Sequence, residues 1–172
     1  MNKYQVGDLV VYSNSGICRV TEIGLRPDLG DDPEQLYYTL TPLYRSEMIY
    51  TPVGGGVYMR PALGRKQVLD LIAQIPSIPE LILENRSFKS SAETYQRALQ
   101  SHDCRDLVQL IKTIYTKNQA AFRQKRNCSQ IDQRYMTRAE DLLYGEFAAA
   151  LDIPVDGVQQ YISSAIGPME PA

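Results

Sequence analysis

The sequence has little of what marks metalloproteins, secreted proteins or membrane proteins. It contains no Trp, a single His and three Cys among 172 residues. The cysteines, Cys18, Cys104 and Cys128, are too few and too widely spaced for a disulfide framework or a zinc-ligand cluster, so we expect reduced thiols and no metal. No run approaches the roughly 20 apolar residues of a membrane helix, and the first residues lead into a strand-like pattern instead of a signal peptide. These absences predict a cytoplasmic protein.

Groups that could carry out catalysis are equally scarce. The single histidine, His102, stands between two predicted helices, which favours a helix-end position over a catalytic pair. The run Gly54-Gly55-Gly56 lacks the Lys-Ser/Thr of a P-loop and is interpreted as a turn. We predict a binding protein without enzymatic activity or cofactor. One alternative is an enzyme whose site is not visible in the sequence.

The charge is nearly balanced but unevenly distributed. The formal net charge is −2, yet residues 86–126 contain nine basic and three acidic residues. Such a block can serve as the footprint of a polyanion such as nucleic acid, or it can simply be a solvated helical face. The charge alone does not separate these two interpretations.

Two patterns of hydrophobic residues divide the chain. Residues 1–60 alternate with period two in four or five short runs, among them Cys18 to Ile23 and Glu47 to Thr51, with turn clusters between them. From Leu63 the period becomes 3.6, as in helices. We therefore predict an α+β protein with a small, bent β domain over 1–60, a domain of about five helices over 61–166 and a flexible tail over 167–172.

Local signals place the helix starts. The spacing Ser90-Ser91-Ala92-Glu93 predicts a capping box at the start of one helix. Asp103 and Ser129 are predicted caps of the next two helices, and the Pro154 region opens a last helix through Ile162. Within the β domain, the run from Glu47 to Thr51 is either an internal strand or an edge strand able to accept a partner strand.

The segment from Val6 to Tyr12 is followed by Gly16 and the Cys18 strand. This opening resembles that of the CarD/CdnL family of bacterial transcription regulators, whose first domain also occurs in the transcription-repair coupling factor. The resemblance continues through Ile49-Tyr50-Thr51-Pro52, the helix near Val68 and the Leu-x-x-Glu-Phe spacing that ends at Phe147.

The resemblance implies a Tudor-like domain that docks on the RNA polymerase β subunit through an edge strand. It also implies a helical domain that contacts promoter DNA and modulates open-complex formation. Arg26 matches a family position that faces the polymerase, and Tyr50 stands where other members carry Arg. The polymerase-binding residues implied in this way are Arg26, Met48, Ile49, Tyr50 and Thr51.

Family members place a Trp wedge before the second helix, and this chain has none. The corresponding position is Arg86 or Phe88, depending on the alignment. Phe88 can act as an apolar wedge at an unstacked base step or as the anchor that seats the second helix. The predicted DNA-contacting residues, mainly at phosphates, are Arg86, Phe88, Lys89, Arg97, Lys125 and Arg126. The alternative is an adaptor that binds polymerase or another β-strand partner without touching DNA.

Overall fold

A computed structural model describes residues 3–83 and 88–166. The chain divides after Ala62 into two compact units. We call residues up to Ala62 the sheet unit and residues from Leu63 the helical unit. The division falls two residues after the domain boundary given by the sequence pattern. The predicted flexible tail, 167–172, lies outside the described residues.

The sheet unit is an antiparallel sheet of five short strands. In chain order these are β1 (Leu9–Tyr12), β2 (Gly16–Leu25), β3 (Leu36–Pro42), β4 (Ile49–Pro52) and β5 (Met59–Pro61). The order across the sheet is β4-β3-β2-β1-β5, so β4 and β5 are its edges. Alternation of apolar side chains buries Val10, Cys18, Val20, Tyr38 and Leu40 on one face.

The sheet is strongly curved. A bulge between Val20 and Glu22 interrupts the pairing of β2 with β3, and bulges bend the strand that contains them. The Tyr12 hydroxyl of β1 donates to Thr51 Oγ1 of β4 at 3.3 Å, although two strands separate β1 from β4 in the sheet. Curvature of the sheet therefore brings side chains of β1 and β4 into contact beside the small core.

The helical unit contains five α-helices: α1 (Arg65–Gln74), α2 (Phe88–Gln100), α3 (Cys104–Arg123), α4 (Gln130–Leu151) and α5 (Val158–Ile166). The α+β class is thus confirmed. The apolar stripe of α3 is buried as its periodicity predicts, at Leu107, Val108, Leu110, Ile111 and Ile114. No helix among the described residues is long and apolar enough to cross a membrane.

Two of the predicted helix starts are confirmed. Asp103 accepts a hydrogen bond from the Arg105 amide, and Ser129 accepts one from the Asp132 amide, which satisfies donors that a helix start leaves unpaired. The predicted capping box is wrong, because α2 begins at Phe88 and already contains Ser90 and Ser91. The last helix also differs: it begins at Val158 after a short 3-10 turn and runs to Ile166 instead of ending at Ile162.

A buried carboxylate connects three parts of the helical unit. Glu146 of α4 is 2% exposed; its Oε2 accepts from the Leu63 amide at 2.8 Å and its Oε1 from the Cys104 thiol at 3.1 Å. These bonds position the chain entering α1 and the first turn of α3 against α4. A buried polar group is tolerated when such partners replace water.

Candidate functional site

The strand β4 offers an open edge. Within the described residues, β4 pairs only with β3, in the register Tyr37↔Pro52, Tyr38↔Thr51, Thr39↔Tyr50 and Leu40↔Ile49. The Val53 amide donates to the Leu36 carbonyl at 2.9 Å, which identifies the strand positions whose amides face β3. Because amides alternate in direction along a strand, the amides of Ile49 and Thr51 face β3 and the amide and carbonyl of Tyr50 face the open side.

Pro52 limits the length of this edge. It occupies the next position whose amide would face outward, and proline has no amide hydrogen to offer. Its carbonyl is already used, because it accepts from the Gly55 amide at 3.0 Å in the following turn. The open edge of β4 is therefore centred on Tyr50.

Arg26 and Tyr50 form one side-chain unit beside this edge. The Arg26 guanidinium lies 4.2 Å from the centroid of the Tyr50 ring, a cation–π distance. Asp28 also binds the guanidinium, with Nε–Oδ1 and Nη2–Oδ2 distances of 3.1 and 2.9 Å. The hydrogen bonds of Arg26 to Asp28, and to a lesser extent to Tyr50, raise the pKa of Arg26. The hydrogen bond with Arg26 lowers the pKa of Asp28. The arrangement orients a flat, partly exposed surface next to an open backbone.

The other residues predicted to contact polymerase point in different directions. Met48 is 55% exposed just before β4 and is available to a partner. Ile49 is half-buried against the core of the sheet unit. Thr51 is 2% exposed and bonded to Tyr12, so its side chain is not available to a partner. Sequence reasoning missed Asp28, because a carboxylate two residues after an arginine in a turn is not a distinctive signal.

The residues predicted to contact DNA fall into separate places. Arg86 and the side chains of Phe88 and Lys89 lie outside the described part of the chain, although the backbone of the last two forms the start of α2. Arg97 is exposed one turn before the end of α2, and three residues separate α2 from α3, so Arg97 lies near the start of α3. Lys125 and Arg126 are exposed beyond the far end of α3, about 30 Å along its 20 residues.

Two cations of the basic block have structural partners. Lys112 donates to the carbonyls of Ile75 and Ile78 at 2.8 and 2.6 Å, at the end of a 3-10 turn after α1. Lys117 lies 2.9 Å from Oδ2 of the buried Asp132 and 3.0 Å from the Tyr95 hydroxyl. Partial burial lowers the pKa of Lys117, but its bonds to Tyr95 and Asp132 outweigh that effect and raise it overall.

The groups considered for catalysis occupy local structural positions. His102 lies in the junction between α2 and α3 with a φ of 58°, and Gly54, with a φ of 77°, is the third residue of the turn from Pro52 to Gly55. Cys18 and Cys104 are buried and Cys128 is exposed. Burial raises the pKa of the Cys18 thiol to about 11, which opposes thiolate formation. Within the described residues, no group of three His, Cys, Asp or Glu side chains could hold a metal ion.

Comparison with known proteins identifies the sheet unit. Residues 4–61 match the family described as the CarD-like/TRCF RID domain, the RNA-polymerase-interacting domain. The match covers β1 to β5 and includes Arg26, Asp28 and Tyr50. A search of curated proteins found no match to the chain.

Proposed function

We propose that this protein, whose residues 4–61 form a CarD-like RNA-polymerase-interacting domain, regulates transcription by binding the polymerase β subunit and promoter DNA together. The sheet unit docks through the β4 edge, and the helical unit contacts DNA phosphates so that open-complex formation is modulated. The role is non-enzymatic and needs no cofactor. It places the protein in the cytoplasm, with bacterial RNA polymerase.

The observation that carries the proposal is the open edge centred on Tyr50 within the matched domain. A partner strand can hydrogen-bond to the Tyr50 amide and carbonyl, and backbone pairing of this kind is a common mode of peptide recognition. Since Pro52 limits the backbone bonds on offer, side chains must supply much of the affinity. Tyr50, stacked under Arg26, and the exposed Met48 are the side chains best placed to do so.

The DNA contact is supported by exposed cations in the helical unit. Arg97, Lys125 and Arg126 are exposed, whereas Lys112 and Lys117 are engaged internally and add little to a DNA surface. Cations on flexible side chains bind phosphates and position a protein without reading bases. The expected DNA binding is weak, independent of sequence and sensitive to salt.

The docking site can be tested with a pair of tyrosine variants and a purified polymerase β-subunit fragment. Tyr50→Asp places a charge at the open edge and is expected to weaken binding roughly 30-fold or more, as at an interface hot spot. Tyr58→Asp is the matched control, because Tyr58 precedes β5 at the opposite edge and is similarly exposed, at 43% against 39%. Binding that survives Tyr50→Asp but is lost with Tyr58→Asp would contradict docking at the β4 edge and place it at the β5 edge instead.

The adaptor alternative differs only in its DNA contact. Titration of the full chain with fork-junction DNA at about 50 and 200 mM salt should show affinity falling as salt rises, by about 0.9 in log K per log salt for each neutralised phosphate. The variant Arg97→Gln together with Lys125→Gln and Arg126→Gln should flatten that slope. Full polymerase binding without DNA binding at the lower salt would favour the adaptor.

A further inference from the structure

The far end of α3 exposes an aromatic ring among cations. Phe122 is 79% exposed, and it is one of only three phenylalanines in the chain. Arg123, Lys125 and Arg126 follow it within four residues, and all three are exposed. We call residues 122–126 the basic tip. A solitary exposed apolar residue is ordinary, but a ring that forgoes most of its burial inside a cationic cluster is a surface suited to binding.

The backbone holds the basic tip in a defined turn. The Arg126 amide donates to the Ala121 carbonyl at 2.8 Å and the Lys125 amide to the Phe122 carbonyl at 3.1 Å. These two bonds form a Schellman motif, in which the residue with left-handed backbone is usually glycine. Here that residue is Lys125, with a φ of 56°. A side chain at this position strains the backbone, so the fold carries a cation where glycine would fit best.

The surroundings leave the positive charge of the tip uncompensated along the chain. No Asp or Glu occurs from residue 107 to residue 131, over which five basic residues fall. The next carboxylate, Asp132, is buried and paired with Lys117. The negative end of the α3 dipole favours a cation such as Arg123, but it does not account for an exposed ring.

We propose that the basic tip binds unpaired nucleic acid, with Phe122 stacked on a base and Arg123, Lys125 and Arg126 on the flanking phosphates. The inference rests on the DNA contact of the proposed function and assigns it to the end of α3 and to single-stranded character. A single strand alternates flat apolar rings with anionic groups, which matches the composition of the tip. In a duplex the base faces are covered, so only the phosphates are available.

An anionic lipid surface is the competing occupant. Membrane-surface helices need a broad apolar face, whereas the basic tip offers one ring, and Ala121 behind it is buried. Charge complementarity with one stacking ring therefore favours a nucleic acid strand.

The absence of tryptophan allows a direct test in the full chain. Phe122→Trp introduces the protein's sole indole at the tip, and stacking on a base quenches indole fluorescence. The control is Ile82→Trp, because Ile82 is also exposed, at 82%. It follows Leu81, whose amide donates to Thr113 of α3. Thr113 lies nine residues before Phe122. An oligothymidylate of about 12 nucleotides should quench the first variant and not the second. The matching duplex should quench neither.

Affinity measurements separate stacking from charge. Phe122→Ala should lower affinity for the oligothymidylate about 5- to 150-fold, equivalent to roughly 1–3 kcal/mol for a stacked base, without lowering the melting temperature. Lys125→Gly removes one cation from a position that glycine tolerates, so it should weaken binding and flatten the salt dependence by about 0.7 in log K per log salt. A protein that binds less while remaining fully folded excludes unfolding as the cause.

The outcomes also separate this inference from the proposed function. Equal quenching by duplex and single strand would contradict binding of unpaired nucleic acid at the basic tip, and so would an absence of quenching while fork DNA still binds. Either result would leave the proposed DNA contact of the helical unit standing. A change seen only with phosphatidylserine vesicles would overturn it in favour of a lipid. If the unmodified chain binds no DNA at all, both the proposed DNA contact and the proposed role of the basic tip are contradicted.

Discussion

The two candidate surfaces differ in which part of the chain they expose. The β4 edge presents backbone groups at Tyr50, and its side chains are fixed by the Arg26–Tyr50 stack and the Asp28 bonds. The basic tip presents side chains only, because its backbone amides are used within the Schellman turn. A surface built from backbone requires a partner with a strand of its own, whereas a surface built from cations and a ring suits a flexible polyanion. We therefore expect the two units to bind different kinds of partner.

The largest expected effect tests the backbone side of this comparison. Ile49→Pro removes an amide that faces β3, so it should destabilise the sheet unit by about 3 kcal/mol or more. Tyr50→Asp alters an outward position and should leave stability within about 0.5 kcal/mol. Thermal unfolding followed by circular dichroism distinguishes the two. If Ile49→Pro leaves the melting temperature unchanged but Tyr50→Asp lowers it, the amide directions inferred for β4 are reversed.

A smaller effect should separate structural from available cations. Lys117→Met leaves the buried Asp132 without its ion pair and should destabilise the helical unit by about 1–3 kcal/mol. Arg123→Gln removes the same charge from an exposed site and should cost less than about 0.5 kcal/mol. Chemical denaturation of both variants measures the difference. Equal stabilities would mean that Lys117 is as free for DNA as Arg123.

The same pair gives a prediction for alkaline pH. The pKa of Lys117 is raised in the folded unit from its usual 10.5, so its stabilising contribution is complete below that value. It should be lost as pH rises through the raised folded pKa. Denaturation at rising alkaline pH should therefore show a steeper loss for the unmodified chain than for Lys117→Met. Parallel profiles would contradict this role of Lys117.

The smallest effect is a gain in stability. Lys125→Gly relieves a left-handed backbone at the end of α3 and should stabilise the helical unit by about 0.5–1 kcal/mol. Lys125→Ala removes the same charge but keeps the Cβ atom, so it should give no such gain. Calorimetric melting of the two variants measures the contrast. A gain with both would show that charge repulsion, and not the backbone, carries the cost.

Features that depend on nearby residues were predictable. The change of period at Leu63 separated the sheet unit from the helices, and Asp103 and Ser129 marked two helix starts by their capping chemistry. The stripe of α3 followed from periodicity. The capping box at Ser90 failed because its spacing occurs inside the first turns of α2, and a four-residue pattern does not state where a helix begins.

Features that depend on distant residues were not predictable. The sequence left β4 as either an internal or an edge strand, and only the sheet order decided that it is an edge, since pairing joins residues far apart in the chain. Likewise, the sequence did not indicate that the Thr51 side chain is buried and accepts a hydrogen bond from Tyr12, although two strands separate β4 from β1 in the sheet.

The sequence by itself determined the composition of the basic block, the order of the elements and the likeness of its first domain to a polymerase-binding family. The tertiary structure decided which cations are free, because Lys112 and Lys117 find partners on other elements. It also decided that Phe122 is exposed, because the burial of an apolar residue depends on what packs against it. Helix starts and periodicity depend on neighbouring residues, whereas the availability of a side chain to a partner depends on contacts between residues far apart in the chain.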